Sequence, residues 1–100
     1  MGWLYDLKSL QTLSLSRNKV SSISAGAWEL CKEIRYLNLS HNYLSTIVHS
    51  QFQSLNALES LDLSRNSIVV LEDNAFYGLT QLRKLVLSRN RISSSVEDLH

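Results

Sequence analysis

A chain of 100 residues with 44% apolar side chains is large enough for one small packed domain. Its formal charge of +1 argues against a nucleic-acid partner, which a marked basic excess would announce, and against direct contact with a charged membrane surface. No run approaches the roughly 18 consecutive apolar residues of a spanning helix, and residues 1–6 lack the basic and apolar regions of a secretory leader, so the chain reads as cytosolic or as an internal piece of a longer secreted one.

From the first residues onward the elements follow one period. Asn18, Asn42, Asn66 and Asn90 are spaced by 24 residues each time. Around them the same frame recurs: Leu10-x-x-Leu13-x-Leu15-x-x-Asn18-x-Val20, Ile34-x-x-Leu37-x-Leu39-x-x-Asn42-x-Leu44, Leu58-x-x-Leu61-x-Leu63-x-x-Asn66-x-Ile68 and Leu82-x-x-Leu85-x-Leu87-x-x-Asn90-x-Ile92. Downstream columns hold Ile23, Ile47 and Leu71, then the aromatics Trp28, Phe52 and Phe76, then Leu7, Cys31, Leu55 and Leu79. Register maintained over four copies predicts a solenoid. Alternation in Leu13-x-Leu15 predicts a short strand with both leucines inward, and stacked coils then pair their strands in parallel about 4.8 Å apart.

The asparagine column has a structural reason. A sharp turn after each strand leaves backbone amides and carbonyls pointing inward, and buried backbone must be paired. A carboxamide is donor and acceptor at once, so it can serve its own coil and the next one. The division that follows is residues 1–9 as the end of a preceding repeat, 10–33, 34–57 and 58–81 as full repeats, and 82–100 as a partial repeat, with no caps. The fold expected is an α/β solenoid of the right-handed curved horseshoe type, with short parallel strands on the concave face and mostly irregular or 3-10 structure opposite.

A 24-residue repeat whose second half reads Ala75-Phe76-Tyr77-Gly78-Leu79 resembles the extracellular class of leucine-rich repeat. Locally, Gly2-Trp3-Leu4-Tyr5-x-Leu7, Gly26-Ala27-Trp28-Glu29-Leu30-Cys31, and Ile92-Ser93 running into Val96-Glu97-Asp98 are similar to consecutive ectodomain repeats of the Lrig family (leucine-rich repeats and immunoglobulin-like domains). Ser95 stands where an apolar residue is due and Val96 comes one place late, as in the extended repeat of that family. The resemblance implies a single-pass membrane glycoprotein parent, placed at the extracellular face of the plasma membrane or secreted, that modulates growth-factor receptor tyrosine kinases. Two rival readings carry different neighbours: a Toll-like innate-immune receptor ectodomain, or a matrix or adhesion repeat protein.

Repeat geometry places four columns on the concave face, the usual binding surface of a solenoid. They are Thr12, Tyr36, Ser60, Lys84; Ser14, Asn38, Asp62, Val86; Ser16, Ser40, Ser64, Ser88; and Arg17, His41, Arg65, Arg89. The expected partner is a protein, a receptor or ligand ectodomain, with no cofactor and no nucleic acid. The basic column reads either as a solvated edge offset by Asp62 and Glu59, or as a docking strip for acidic side chains, sulfated glycans or sialic acid. Ser40, His41 and Asp62 do not suggest a hydrolase, because the serine belongs to a column repeated in every coil and no oxyanion donor is indicated. His49 and His100 are too isolated for a metal site, and Cys31, in a leucine column, reads as a buried inert thiol. Asn38-Leu39-Ser40 is the one N-glycosylation sequon, on a residue expected to face the concave side.

Overall fold

A computed structural model of the chain describes residues 7–93. The readings placed on residues 1–6 and 94–100, including the Gly2–Tyr5 motif, the register break at Ser95–Val96 and His100, lie outside the described residues.

Among the described residues six short strands are formed: β1 (Thr12–Ser14), β2 (Tyr36–Asn38), β3 (Thr46–Ile47), β4 (Ser60–Asp62), β5 (Val70–Leu71) and β6 (Lys84–Val86). The principal sheet runs β1-β2-β4-β6, every pair parallel, with Leu13, Leu37, Leu61 and Leu85 in one register line. Each partner lies 24 residues on, as 12, 36, 60 and 84 show, so one repeat makes one coil of a curved solenoid. Period-two alternation puts the middle residue of each strand inside: Leu37 and Leu61 are buried while Tyr36 beside Leu37 is exposed. Leu39 and Leu63 continue the alternation inward just past the strands.

The second sheet, β3 with β5, departs from the expected four strands. Its pairs are Thr46 with Val70 and Ile47 with Leu71, flanked by amides of Val69 and Val70 reaching the Ser45 carbonyl and the Glu72 amide reaching that of Ile47. β-branched side chains favour extended backbone there; the first coil has Ser22-Ile23 in the same place, with serine for the leading β-branched residue, and forms no strand. The convex side then returns through consecutive i→i+3 bonds, Trp28 to Cys31 to Ile34, Phe52 to Leu55 to Leu58, and Phe76 to Leu79 to Leu82. Regular helix is confined, among the described residues, to one turn at residues 7–9.

The core is the stack of equivalent positions. Ile34, Leu39, Ile47, Phe52, Leu55, Leu58, Leu61, Leu63 and Ile68 are fully buried. Trp28, Phe52 and Phe76 stack along the axis with centroids 6.2 and 6.1 Å apart, the latter pair within 2° of parallel. Such contacts add about 0.5–1.5 kcal/mol each to the burial itself. Cys31, packed into the same core, has its thiol pKa pushed up by burial.

The asparagines bond one way along the stack. Asn42 Nδ2 donates to the Leu39 and Ser40 carbonyls of its own coil and to Leu15 of the coil before, while its Oδ1 accepts the Asn18 and Val20 amides. Asn66 does the same for Leu63, Ser64, Leu39 and Leu44, and Asn90 for Leu87, Ser88, Leu63 and Ile68. The expectation that the carboxamide serves the next coil is corrected: it serves the preceding one. The preceding coil supplies both the inward carbonyl after its strand and the amides past its turn, so one side chain closes both.

Candidate functional site

The concave sheet fixes its columns by strand register. Thr12, Tyr36, Ser60 and Lys84 form one line and Ser14, Asn38, Asp62 and Val86 another. Within the second line the polar side chains turn to their own backbone. Asn38 Oδ1 accepts the Ser40 amide at 2.9 Å, and Asp62 Oδ1 accepts the Ser64 amide at 2.9 Å and the Ser64 hydroxyl at 2.7 Å. Ser14 and Ser16 bond hydroxyl to hydroxyl at 3.3 Å. These short side chains hold the turn that follows the strand, as Asx motifs do. Ser40 is only 6% exposed rather than facing out, which removes any triad with His41 and Asp62.

Past the strands the chain turns through a left-handed residue in every coil: Arg17, His41, Arg65 and Arg89, at φ 62°, 57°, 55° and 60°. Histidine is enriched in this conformation, but arginine is not, and each L-residue there costs on the order of 1–2 kcal/mol. The turn is held by amide bonds from Arg17, His41 and Arg65 to the Ser40, Ser64 and Ser88 carbonyls of the following coil. The result is a cationic column along one edge of the sheet. His41, half-buried within it, has its pKa lowered first by burial and then by Arg17 and Arg65, against a small upward pull from Asp62.

Three coils contribute to a concavity of about 330 Å³ lined by Arg17, Lys19, His41, Asn42, Tyr43 and Arg65. Lys19 and Tyr43 were not among the residues expected from sequence, though Lys19, Tyr43, Ser67 and Arg91 form a 24-residue column beside the basic one. Tyr43 is 58% exposed. On the opposite edge Arg35 meets Glu59 at 2.7 Å and lies 5.7 Å from the Tyr36 ring; the carboxylate, by hydrogen bond and charge, raises the guanidinium pKa. That is the one ion pair among the described residues, so Glu59 offsets the far edge and not the basic column.

A family pattern for leucine-rich repeats matches residues 1–44 and 33–92. The chain belongs to the leucine-rich repeat family. Its fold is that of a non-catalytic scaffold for protein–protein interaction. No curated protein sequence matches it. Among solved structures it is similar to a TLR13 chain crystallised in complex with ssRNA13, at 33% identity and a TM-score of 0.67, over 93% of this chain and 16% of that one. This leucine-rich repeat segment thus spans about a sixth of the length of the structure it matches.

That likeness corrects one expectation. A net charge of +1 excluded nucleic acid as a partner, yet a repeat stretch of similar sequence belongs to a protein solved with RNA. Net charge is the wrong measure for a solenoid, because what a ligand meets is the local field of one face. Here Arg17, Lys19, Arg65, Arg89 and Arg91 occupy two adjacent columns, while Glu29, Glu33, Glu72 and Asp73 sit in convex turns and cancel them only in the sum. Among the described residues no helix is long and apolar enough to cross a membrane, and no cluster of His, Cys, Asp and Glu could hold a metal.

Proposed function

We propose that this leucine-rich repeat segment is part of a receptor ectodomain of the Toll-like type, outside the cytoplasm, where it recognises a ligand with its concave sheet and basic edge. The observation that carries this reading is the 33% identity to the TLR13 chain over 93% of the segment. A match of that extent takes in every coil of the segment, so its concave columns lie within the matched stretch. On this reading 10–33, 34–57 and 58–81 are complete recognition units, and Thr12, Ser14, Arg17, Tyr36, Asn38, His41, Ser60, Asp62, Arg65, Lys84, Val86 and Arg89 are its candidate contacts. The sequon at Asn38 then stays unoccupied, since a glycan on this half-buried side chain would cover the recognition face. A Lrig-like parent that restrains receptor tyrosine kinases rests on a resemblance along the whole chain that is mostly leucines any repeat shares, its distinctive motifs being Gly26–Cys31, in a convex turn, and residues near the two chain ends.

The test is a segment exchange. Replacing the matched stretch of the TLR13 ectodomain with this chain should give a folded chimera that melts cooperatively. Added RNA should slow amide hydrogen exchange at residues 36–41 and 60–65. Protection confined to the convex turns at 24–31, or a chimera that does not fold, would overturn the reading.

A further inference from the structure

The basic edge is more than an excess of charge. Arg17 and Arg65 flank His41 across three coils, two strand spacings or about 10 Å apart. Both stand in left-handed backbone that asparagine or glycine would occupy at lower cost. Asp62, the one acid among the concave columns, spends Oδ1 on Ser64. Into the same concavity projects Tyr43, an exposed aromatic face beside Lys19.

Cations beside an open ring match one ligand chemistry better than others. A guanidinium binds a phosphodiester through paired N–H donors, and an aromatic ring takes an unstacked base on its face. A sulfated glycan would use the charges without needing Tyr43. A duplex presents phosphates but keeps its bases stacked away from the ring. We infer that the concavity between Arg17, Tyr43 and Arg65 is a subsite for single-stranded nucleic acid, with the arginines on backbone phosphates and Tyr43 under one base. His41, between the arginines, offers a ring N–H to the bridging sugar-phosphate. The inference rests on the ligand-recognition reading above and assigns the chemistry of one part of that surface.

The experiment uses the whole 100-residue chain and a fluorescent oligouridylate of about 12 nucleotides, a length within the usual range of single-strand binding sites. Wild type should bind the single strand more tightly than a duplex of equal length or a sulfated oligosaccharide. The logarithm of its affinity should fall with log salt at a slope of about −2, as expected for three phosphates neutralised by Arg17, Arg65 and Lys19. Arg17→Asn with Arg65→Asn keeps a residue that tolerates the left-handed turn, so the melting temperature should not fall, while binding weakens at least about tenfold and the slope drops toward about −1. Tyr43→Ala should weaken binding about tenfold and Tyr43→Phe should restore it. A folded chain that ignores the oligonucleotide, or that binds the sulfated oligosaccharide as tightly with no dependence on Tyr43, would overturn the subsite. Concave protection in the chimera alongside either result would leave the broader reading standing, with its contacts to be found elsewhere on the sheet.

Discussion

The middle coils and the outer coils are built from the same frame yet bury it differently. Leu37 and Leu61 are 2% and 0% exposed, whereas Leu85, at the same register position, is 36% exposed and Leu13 is half-buried. Asn42 and Asn66 are buried with bonds to two coils; Asn18, exposed, keeps among the described residues one side-chain bond, from its Nδ2 to the Ser16 carbonyl. Identical residues thus contribute unequally, because a coil's interior is covered by its neighbours and not by itself.

Substitutions at equivalent positions should expose that inequality. The largest gap is expected in the leucine line: Leu61→Ala should cost about 2–5 kcal/mol and Leu85→Ala clearly less, since less area leaves the core. A common value at both would show that the outer coil is covered in solution. Next comes the asparagine column. Asn66→Leu strands the Leu44 amide and takes one donor each from the Leu39, Leu63 and Ser64 carbonyls, which keep Asn42, Asn90 and the His41 amide; it should cost about 1–3 kcal/mol, against under about 1 kcal/mol for Asn18→Leu, in denaturant titrations. Equal losses would mean that the ladder is not what closes the turns. The smallest effect separates the second coil from the coils that carry arginine. His41 has a folded pKa below its ordinary 6.5, so the folded state binds fewer protons than the unfolded one. The stability that this neutral imidazole contributes is complete above that value and lost as pH falls through it. Melting temperatures on either side should differ more for wild type than for His41→Asn, and a larger difference in the variant would reverse the sign.

Much of this architecture could be read from spacing. The Leu13-x-Leu15 alternation and its three echoes fix the strands, their register and the inward face, since a period repeated in phase admits one stacking. What escaped depends on residues that break their own column. β3 and β5 need Thr46 and Val70, for which the first coil substitutes Ser22. Gln51 stands among alanines, Ala27 and Ala75, and does for the convex turn what asparagine does elsewhere: its side chain accepts the Val48 amide and donates to the Ile23 carbonyl. Its own carbonyl also accepts the Trp28 indole N–H. The direction of the asparagine bonds was out of reach, because the carboxamide is competent toward either neighbour and only the stagger between coils decides. Lys19 and Tyr43 lay in a mixed column, and no single residue type marked it.

The one-way asparagine bonding gives the stack a polarity. Val20, Leu44 and Ile68 each have an amide that waits for the Asn 22 residues further along. A coil is therefore not closed by its own last residue: its turn is sealed only when the asparagine of its successor is in place. Loss of that asparagine leaves an amide unpaired in the coil before it and none in the coil after.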